Sequence, residues 1–447
     1  MAFLYRQRFF AYAIITLEKF IEDKKLTIKI KKAKLEEIIA KKKNKKFIPK
    51  KPGMLFRILV KILSSKDLKA TNFKLEKVGM GKLGKKEPCL ILMNHASFID
   101  LKIAQSILFP RPVNIVTSMD AFVGLKWLLR QIGCFPTRKF VPDITLVHNM
   151  VHCVKKLKSS VLMFPEAGYS FDGTATTLPE SLGKCVKLLN VPLVTIISNG
   201  AFARQPLYNN LIKRKIDVSA KMEYLLSKEQ IQQMSAEEIN KVIINAFTFD
   251  AFKWQKDNGI KITEPNRADG LERLLYKCPH CLKEGNLVGK GITLTCQDCG
   301  KEYILREDGQ MQAKDGETEF AHIPDWYVWE RKCAREEVVS GSYLLQDDVD
   351  IYIVKDYQAL YDVGQGKLVQ DNDGISLYKQ NGELIYNQPP LYSHSILSDF
   401  FWYELGDVIC IGNNDITYCC IPKNLKNVVT KARLVAEELY KIKKEQK

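Results

Sequence analysis

Four short apolar runs separated by helical patterns constrain the fold of this chain more than any other feature. They occupy residues 89–93, 113–116, 160–164 and 193–197, inside a region that extends from about residue 82 to residue 264. Apolar runs of strand length that alternate with amphipathic helices are typical of strands buried between two helical layers. The pattern predicts an α/β sandwich.

The length of 447 residues exceeds what one hydrophobic core usually serves, so several domains are expected. Composition predicts a basic segment with amphipathic helices at residues 1–80, the α/β domain at 81–265, a cysteine ribbon at 266–310 and a β-rich domain at 311–447. The last domain closes on a helix predicted over residues 425–444. Several strands followed by one terminal helix resemble the pleckstrin-homology-like superfold in topology.

Serine residues followed three positions later by Asp, Gln or Glu predict helix starts inside the α/β domain. They are Ser97, Ser227 and Ser235. We expect the helix that begins at Ser235 to run to about residue 256, where a turn pair follows.

The basic leader contains two amphipathic segments, residues 3–21 and 54–63, on either side of a lysine-rich, helix-like stretch at residues 24–51. Arg57 and Lys61 are four apart in the second segment and share one stripe of the helix. This is typical of a helix in the membrane interface, with cations toward lipid phosphates. A helix that covers the next domain's core is the alternative. No run of about 18 uncharged apolar residues occurs, so no membrane span is expected.

Basic residues outnumber acidic ones by 68 to 51, which gives a net charge of +17 and favours an anionic partner. A zinc-ribbon protein that binds nucleic acid is one alternative. The lysines concentrate in a leader with apolar segments, however, and no basic-aromatic RNA motif occurs, so no nucleic acid is expected. We expect an anionic membrane surface as partner and a peripheral location at its cytoplasmic face. The scattered cysteines outside one metal-type set suit a reducing compartment.

Asn94, His95 and Asp100 lie where a predicted strand gives way to the helix that Ser97 opens. The imidazole and the carboxylate can then meet. A neutral imidazole, with a pKa of about 6.5, can remove the proton of a hydroxyl that attacks a thioester. A carboxylate on the other ring nitrogen fixes the tautomer. The alternative is a strand-end histidine with Asp100 capping the helix. Backbone N–H groups near Ser97 or in the turn at 164–168 are candidates for stabilising the oxyanion.

Three further blocks follow in order along the chain. Residues 133–138 are Gly-Cys-Phe-Pro-Thr-Arg, residues 164–170 are Phe-Pro-Glu-Ala-Gly-Tyr-Ser, and residues 191–192 are Val-Pro. With the block at residues 94–100 they resemble the ordered motifs of the glycerophosphate and lysophospholipid acyltransferase family, over about residues 85–215. The resemblance implies a glycerol-3-phosphate acyltransferase-like α/β sandwich.

The resemblance also implies an activity in phospholipid biosynthesis: transfer of a fatty acyl group from acyl-carrier protein or coenzyme A to a glycerol hydroxyl of a lysophospholipid such as lysophosphatidate. It implies His95 as the base and Asp100 as its orienting acid, without a covalent enzyme intermediate. The acceptor-site residues that it implies are Asn94, Ser97, Arg138, Glu166 and Gly168. A non-catalytic lipid-binding scaffold on the same fold is an alternative.

The third block departs from the family pattern at residues 167–169, which are Ala-Gly-Tyr where the family has Gly-Thr-Arg. One cation expected near an acceptor phosphate is therefore missing, so the acceptor could carry a different head group. Other candidates to supply the charge are Lys139, Lys184 and Arg204. Glu166 is expected to accept hydrogen bonds from acceptor hydroxyls or to position Arg138.

Two Cys-x-x-Cys pairs form the metal-type set: Cys278 with Cys281, and Cys296 with Cys299. Four thiolates at this spacing predict a rubredoxin-type ribbon around one tetrahedral ion, with zinc as the expected metal and iron as the alternative. Because four thiolates close the coordination shell, the zinc would be structural. His280 lies inside the first pair and is expected to be exposed.

Overall fold

The computed structural model describes residue 18, residues 28–43 and residues 46–446. The first predicted amphipathic segment, residues 3–21, lies outside the described residues apart from residue 18. Among the helices that are described, none is long and apolar enough to cross a membrane.

The described part of the leader contains β1 (Ile30–Lys32), α1 (Leu35–Ala40) and α2 (Met54–Ala70). The stretch expected to be helix-like over residues 24–51 is therefore a short strand and a short helix where it is described. The predicted helix at 54–63 is present as α2 and continues to residue 70. Its buried residues are spaced by four, at Val60, Ser64 and Leu68. This spacing puts one face of α2 against the α/β domain.

Arg57 and Lys61 of α2 are engaged with the protein, which differs from the expected orientation toward lipid. The Arg57 guanidinium donates to the carbonyl oxygen of Pro110. The Lys61 ammonium lies 4.3 Å from the centre of the Phe109 ring. Both contacts hold α2 on the loop after the next helix, because a cation gains from a carbonyl oxygen and from an aromatic face.

A seven-stranded sheet forms the centre of the α/β domain. Its strands are β2 (Lys74–Val78), β3 (Leu90–Met93), β4 (Val113–Ser118), β5 (Cys134–Thr137), β6 (Ser160–Met163), β7 (Leu193–Asn199) and β8 (Ser219–Leu226). The spatial order is β2-β8-β7-β3-β6-β4-β5. β2 and β8 run opposite to the other five, which are mutually parallel. The four apolar runs coincide with β3, β4, β6 and β7, so the α/β prediction is confirmed.

Helices flank this sheet. They are α3 (Ile99–Leu108), α4 (Lys126–Gln131), α5 (Ile144–Val151), α6 (Leu182–Leu189), α7 (Ala201–Arg204), α8 (Lys228–Gln233), α9 (Ala236–Ala246) and α10 (Ala251–Asp257). Ser227 and Ser235 cap α8 and α9 through complete capping boxes, as predicted. The expected continuation of α9 to residue 256 is wrong. Asp250 adopts an extended backbone and caps a separate helix, α10, by accepting from the Lys253 N–H.

A small antiparallel sheet follows, with both cysteine pairs beside it. Its strands are β9 (Leu287–Lys290), β10 (Thr293–Cys296), β11 (Glu302–Leu305) and β12 (Met311–Ala313), in the order β12-β11-β10-β9. The long helix α11 (Ile323–Ser340) packs beside it, and its buried Trp326 indole donates to the carbonyl of Lys277 at 3.0 Å.

The C-terminal region is rich in strands, as predicted. Its elements are β13 (Leu345–Val354), β14 (Leu360–Asp371), β15 (Gly374–Lys379), β16 (Leu384–Gln388), β17 (Leu397–Trp402), β18 (Gly406–Gly412), β19 (Thr417–Pro422) and α12 (Val428–Glu445). The antiparallel order is β16-β15-β14-β13-β19-β18-β17, and β1 of the leader pairs parallel with β14. The predicted terminal helix is confirmed as α12.

Glu437 forms one ion pair that fixes α12 against α11 and a second one that lies within α12. Glu437 accepts from Arg331 at 2.7 Å and from Arg433 at 3.0 Å. Burial by itself raises the pKa of Glu437, but the two guanidinium groups lower that pKa to about 2. The position of α12 matters because the same helix lines the cavity described below.

Candidate active site

The end of β3 is tied to the neighbouring strand β7 by one asparagine. The Asn94 amide donates to the carbonyl of Ser198 at 3.1 Å, and its oxygen accepts the Ser198 N–H at 2.8 Å. Asn94 is buried and therefore sets the point where the chain leaves the sheet. The next residue, His95, begins the turn into α3.

His95 and Asp100 meet in this turn, as the sequence predicts. His95 Nδ1 lies 3.3 Å from Asp100 Oδ2. The same oxygen accepts the backbone N–H groups of Ala96 at 2.7 Å and Ser97 at 2.9 Å, while Oδ1 accepts the Ser198 hydroxyl at 3.0 Å. These bonds hold the carboxyl group of Asp100 toward the imidazole.

Two aromatic rings enclose the imidazole. The Phe164 ring stacks on His95 with 4.1 Å between ring centres, and the Tyr169 ring lies at 4.3 Å. The His95 side chain is 18% exposed. Burial lowers the pKa of His95, the Lys139 charge lowers it further, and the Asp100 hydrogen bond opposes both. The imidazole is therefore neutral at neutral pH, with Nε2 left to accept a proton.

Glu166 lies in the loop after β6, and its side chain is buried. Neither carboxyl oxygen has a hydrogen-bond partner among the described residues. Burial first, and then the charge of Asp100, raise the pKa of Glu166 well above its usual range. Burial thus favours the protonated form of Glu166, which makes no hydrogen bond to Arg138 among the described residues, and its role toward the acceptor stays a prediction.

The other predicted site positions lie in the loops after β3 and β6. The Ser97 hydroxyl is buried and has no hydrogen-bond partner in the described part of the chain. A Cβ atom at Gly168 would meet open space. Ala167 has a φ of 57°, a left-handed conformation that favours the glycine of the family motif. None of Asn94, Ser97, Asp100, Glu166 and Gly168 is among the cavity-lining residues of the described chain.

Arg138, which follows β5, anchors the C-terminal domain. One terminal nitrogen donates to the carbonyl of Val354 at 2.9 Å and to the hydroxyl of Thr417 at 2.6 Å. The other donates to the carbonyls of Asp415 at 2.7 Å and Lys355 at 3.3 Å. This differs from the expected role as a phosphate ligand, because the guanidinium fork is already occupied.

A cavity of about 2380 Å³ lies between the α/β domain and the C-terminal domain. This volume exceeds the roughly 300–1,000 Å³ of ordinary small-molecule sites. The residues that line it from the α/β domain include His95, Leu101, Lys139, Leu146, Met150, Tyr169 and Lys184. Those from the C-terminal domain include Tyr357, His394, Asp399, Phe400, Trp402 and Tyr440. The candidate base therefore opens onto a mostly apolar cavity with walls from two domains.

The three cations considered as replacements for the missing arginine lie in different surroundings. Arg204 is buried, bonded to Asp67 at 3.2 Å and to Gln205 at 2.8 Å, and outside the cavity lining. Lys139 and Lys184 line the cavity, and neither has a hydrogen-bond or ion-pair partner among the described residues.

Sequence reasoning missed several residues of the site. Ser198 bonds both Asn94 and Asp100, and the only hint of this was a polar residue after an apolar run. Tyr403 of the C-terminal domain donates to Asp120 at 3.0 Å. Nothing in the sequence indicated that this domain contributes to the cavity.

The four cysteine thiols converge beside the small sheet. Their sulfur atoms all lie within 4.8 Å of one another, with 3.9 Å between Cys278 and Cys299 and 3.7 Å between Cys281 and Cys296. Tetrahedral bonds of about 2.3 Å to one ion would set neighbouring sulfurs about 3.8 Å apart. The cluster can therefore hold a metal ion. The half-exposed His280 instead faces Glu319 at 3.2 Å.

Comparison with known families matches residues 74–199 to the family described as Acyltransferase. These residues run from the start of β2 to the end of β7. No curated protein matches the chain. Among solved structures, the crystal structure of the 1-acyl-sn-glycerophosphate (LPA) acyltransferase PlsC from Thermotoga maritima has 12% sequence identity, covers 43% of this chain and 81% of that chain, and gives a TM-score of 0.33. A likeness of that size adds nothing to the assignment.

The family match covers both loops that bring His95, Asp100 and Glu166 together. Residues 74–199 therefore form an acyltransferase domain.

Proposed function

We propose that the chain transfers a fatty acyl group from an acyl thioester, acyl-carrier protein or acyl-coenzyme A, to a glycerol hydroxyl of a lysophospholipid. The observation that supports this most is the His95 and Asp100 contact of 3.3 Å at the wall of a large, mostly apolar cavity. A non-catalytic scaffold would not need a neutral, oriented imidazole at this place.

In this proposal His95 is the general base. Its Nε2 takes the proton of the acceptor hydroxyl as the oxygen attacks the thioester carbon. Asp100 stabilises the imidazolium that forms, since it bonds Nδ1. The carbonyl oxygen becomes an oxyanion, the C–S bond then breaks, and the leaving thiolate takes the proton from the imidazolium. Backbone N–H groups near residue 168 are candidates for the oxyanion, because those of Ala96 and Ser97 already bond Asp100.

The test is acyl transfer by the purified chain from labelled acyl-coenzyme A and acyl-carrier protein to a panel of lysophospholipids. We expect His95→Ala to lower kcat by about 10²–10⁴ and Asp100→Asn to lower it less. His148→Ala, on α5 and outside the cavity lining, is the matched control and should retain activity. Absence of transfer by the wild type, or a fully active His95→Ala variant, would refute the proposal.

We further propose that α2 docks the enzyme on an anionic membrane as a peripheral protein at the cytoplasmic face. Its exposed side carries the apolar stripe Met54, Leu55, Ile58 and Ile62, and Ile62 is 63% exposed. Trp127 of α4 is exposed beside Phe56 of this helix, with 6.2 Å between ring centres. An apolar stripe with an interfacial tryptophan suits the boundary between headgroups and acyl chains.

Flotation with phosphatidylcholine vesicles, with and without phosphatidylglycerol, tests this surface. We expect the double variant Leu55→Glu, Ile62→Glu to partition onto the vesicles about 100-fold less than wild type, because two apolar side chains are removed from the contact with the membrane. Ile244→Glu, an equally exposed isoleucine on α9, is the matched control. Equal flotation of wild type and double variant would contradict the proposal.

We propose structural zinc in the cluster of Cys278, Cys281, Cys296 and Cys299, and a pleckstrin-homology-like assignment for the C-terminal domain. The sulfur spacing supports the first, and seven antiparallel strands followed by α12 support the second. Elemental analysis should find about one zinc per chain, lost in Cys281→Ser and retained in Cys333→Ser. Finding iron or no metal would reject zinc.

A further inference from the structure

The cations that the cavity offers to a ligand are lysines with no hydrogen-bond or ion-pair partner among the described residues. Arg138 is anchored on the C-terminal domain, Lys441 is bonded to Glu438 at 2.7 Å, and Lys444 is bonded to Glu180. The cavity-lining cations with no bonded partner in the described part of the chain are Lys29, Lys31, Lys139 and Lys184. Only Lys139 is half-buried, whereas the other three are exposed.

Lys139 also lies at the reacting end of the cavity. It follows β5, and His95 follows β3, so both occupy the same edge of the parallel strands. At that edge loops after parallel strands converge on one site. Both residues line the same cavity, and the Lys139 charge adds to the effect of burial in lowering the pKa of His95.

β17 of the C-terminal domain supplies part of the cavity wall. Asp399 lines the cavity there, and its Oδ1 accepts the Phe400 N–H at 2.9 Å. Burial raises the pKa of Asp399 to about 7, although the Lys139 charge opposes the rise. The Phe400 ring packs on Phe171, with 4.4 Å between centres, and fixes this wall. A carboxyl group thus lines the same cavity as Lys139, whose charge acts on it.

The charge of this site suits one kind of acceptor. A phosphate monoester carries about 1.5–2 negative charges near neutral pH, whereas a phosphodiester carries one. Of the two family arginines, one is anchored at Arg138 and the other is replaced by Tyr169. One half-buried lysine balances a single negative charge of the phosphate, and the partly ionised carboxyl group of Asp399 opposes a second one.

On the basis of the proposed acyl transfer, we infer that the acceptor is a lysophospholipid with a phosphodiester head group. Lys139 binds its phosphate, and Asp399 faces the head group beyond it. A head group with an ammonium or hydroxyl donor gains a hydrogen bond from Asp399. Lysophosphatidate, a monoester, is a poor acceptor in this arrangement.

The test compares lysophosphatidylethanolamine, lysophosphatidate and monoacylglycerol as acceptors for the full chain. We expect kcat/KM to favour the phosphodiester over lysophosphatidate by about tenfold or more. Lys139→Met should raise KM for the phosphodiester by about 10- to 100-fold, several times more than it raises KM for monoacylglycerol. Lys86→Met, an exposed lysine outside the cavity lining, is the matched control.

Calorimetry of short-chain lysophosphatidylethanolamine binding, without acyl donor, measures the proposed contact between Lys139 and the phosphate independently of turnover. Weaker binding by Lys139→Met but not by Lys86→Met would support the inference even if no acyl group is transferred, in which case only the proposed function fails. If the wild type prefers lysophosphatidate, or if Lys139→Met affects all acceptors alike or none, the inference is overturned while acyl transfer stands.

Discussion

Replacing Arg138 with methionine distinguishes an anchor between domains from a phosphate ligand. The variant keeps an apolar stem of similar length but removes all four hydrogen bonds to Val354, Lys355, Asp415 and Thr417. We expect two results: a less stable contact between the two domains, and an unchanged preference between phosphate-bearing and neutral acceptors.

The expected loss of stability follows from these contacts. A hydrogen bond that involves a charged group contributes roughly 1.5–3 kcal/mol, and such contributions from one side chain are not additive. Breaking a buried charged contact by removing one partner typically costs about 3–5 kcal/mol. We therefore expect Arg138→Met to lower the free energy of unfolding by about 3–5 kcal/mol. kcat/KM should fall by the same factor for every acceptor, since the cavity loses the position of one wall.

Urea unfolding followed by tryptophan fluorescence, together with limited proteolysis, measures the stability of the contact. Arg130→Met, an exposed arginine on α4, is the matched control and should stay within about 0.5 kcal/mol of wild type. The reasoning is refuted if Arg138→Met is as stable as this control. It is also refuted if only phosphate-bearing acceptors lose kcat/KM, because that result would make Arg138 a ligand.

Three smaller predictions follow from other sites. Burial raises the pKa of Asp399 to about 7 from its ordinary value of 3.8, so its ionisation destabilises the fold as pH rises from about 4 through 7. The free energy of unfolding falls by at most about 4 kcal/mol over this range. Because the side chain keeps some contact with solvent, we expect Asp399→Asn to stabilise the protein by about 2 kcal/mol at pH 8 and hardly at pH 4, and equal effects at both would contradict this. Ala167→Gly should stabilise by about 1 kcal/mol in urea unfolding, since φ is 57°, and a loss of stability would argue against strain there. Gly183→Ala should lower the free energy of unfolding by about 2–3 kcal/mol, because the new Cβ would lie 2.1 Å from the Ala236 carbonyl oxygen. An unchanged free energy of unfolding would show that α6 and α9 can separate.

Local patterns in the sequence predicted much of the α/β domain. The buried strands appeared because both faces of a central parallel strand are covered, which leaves an uninterrupted apolar run such as residues 90–93. Ser227 and Ser235 identified helix starts because a capping box lies within four residues. The end of α9 was missed, since Asp250 caps a second helix that the apolar pattern alone does not separate from the first.

The cavity could not be predicted in the same way, because its walls come from distant parts of the chain. The bonds of Arg138 join residues more than 200 positions apart, and neither Val354 nor Asp415 belongs to a motif. The His95 and Asp100 contact spans only five positions and sits within a turn, so the sequence was enough to place the two side chains together.

Two positions at which the family pattern has an arginine are used differently in this chain. Tyr169 packs its ring on His95 where the family has an arginine, and Arg138 keeps the family residue but bonds Val354 and Asp415. A cation at position 169 would lie against an imidazole whose pKa burial already lowers, and it would oppose the imidazolium formed during catalysis. Because the C-terminal domain occupies Arg138 and forms one wall of the cavity, Lys139 is the half-buried lining cation with no bonded partner among the described residues, which is why we infer that it selects the acceptor. In the proposed acyl transfer this domain therefore contributes a wall of the active site, and we expect changes on β17 to alter which lipid is acylated.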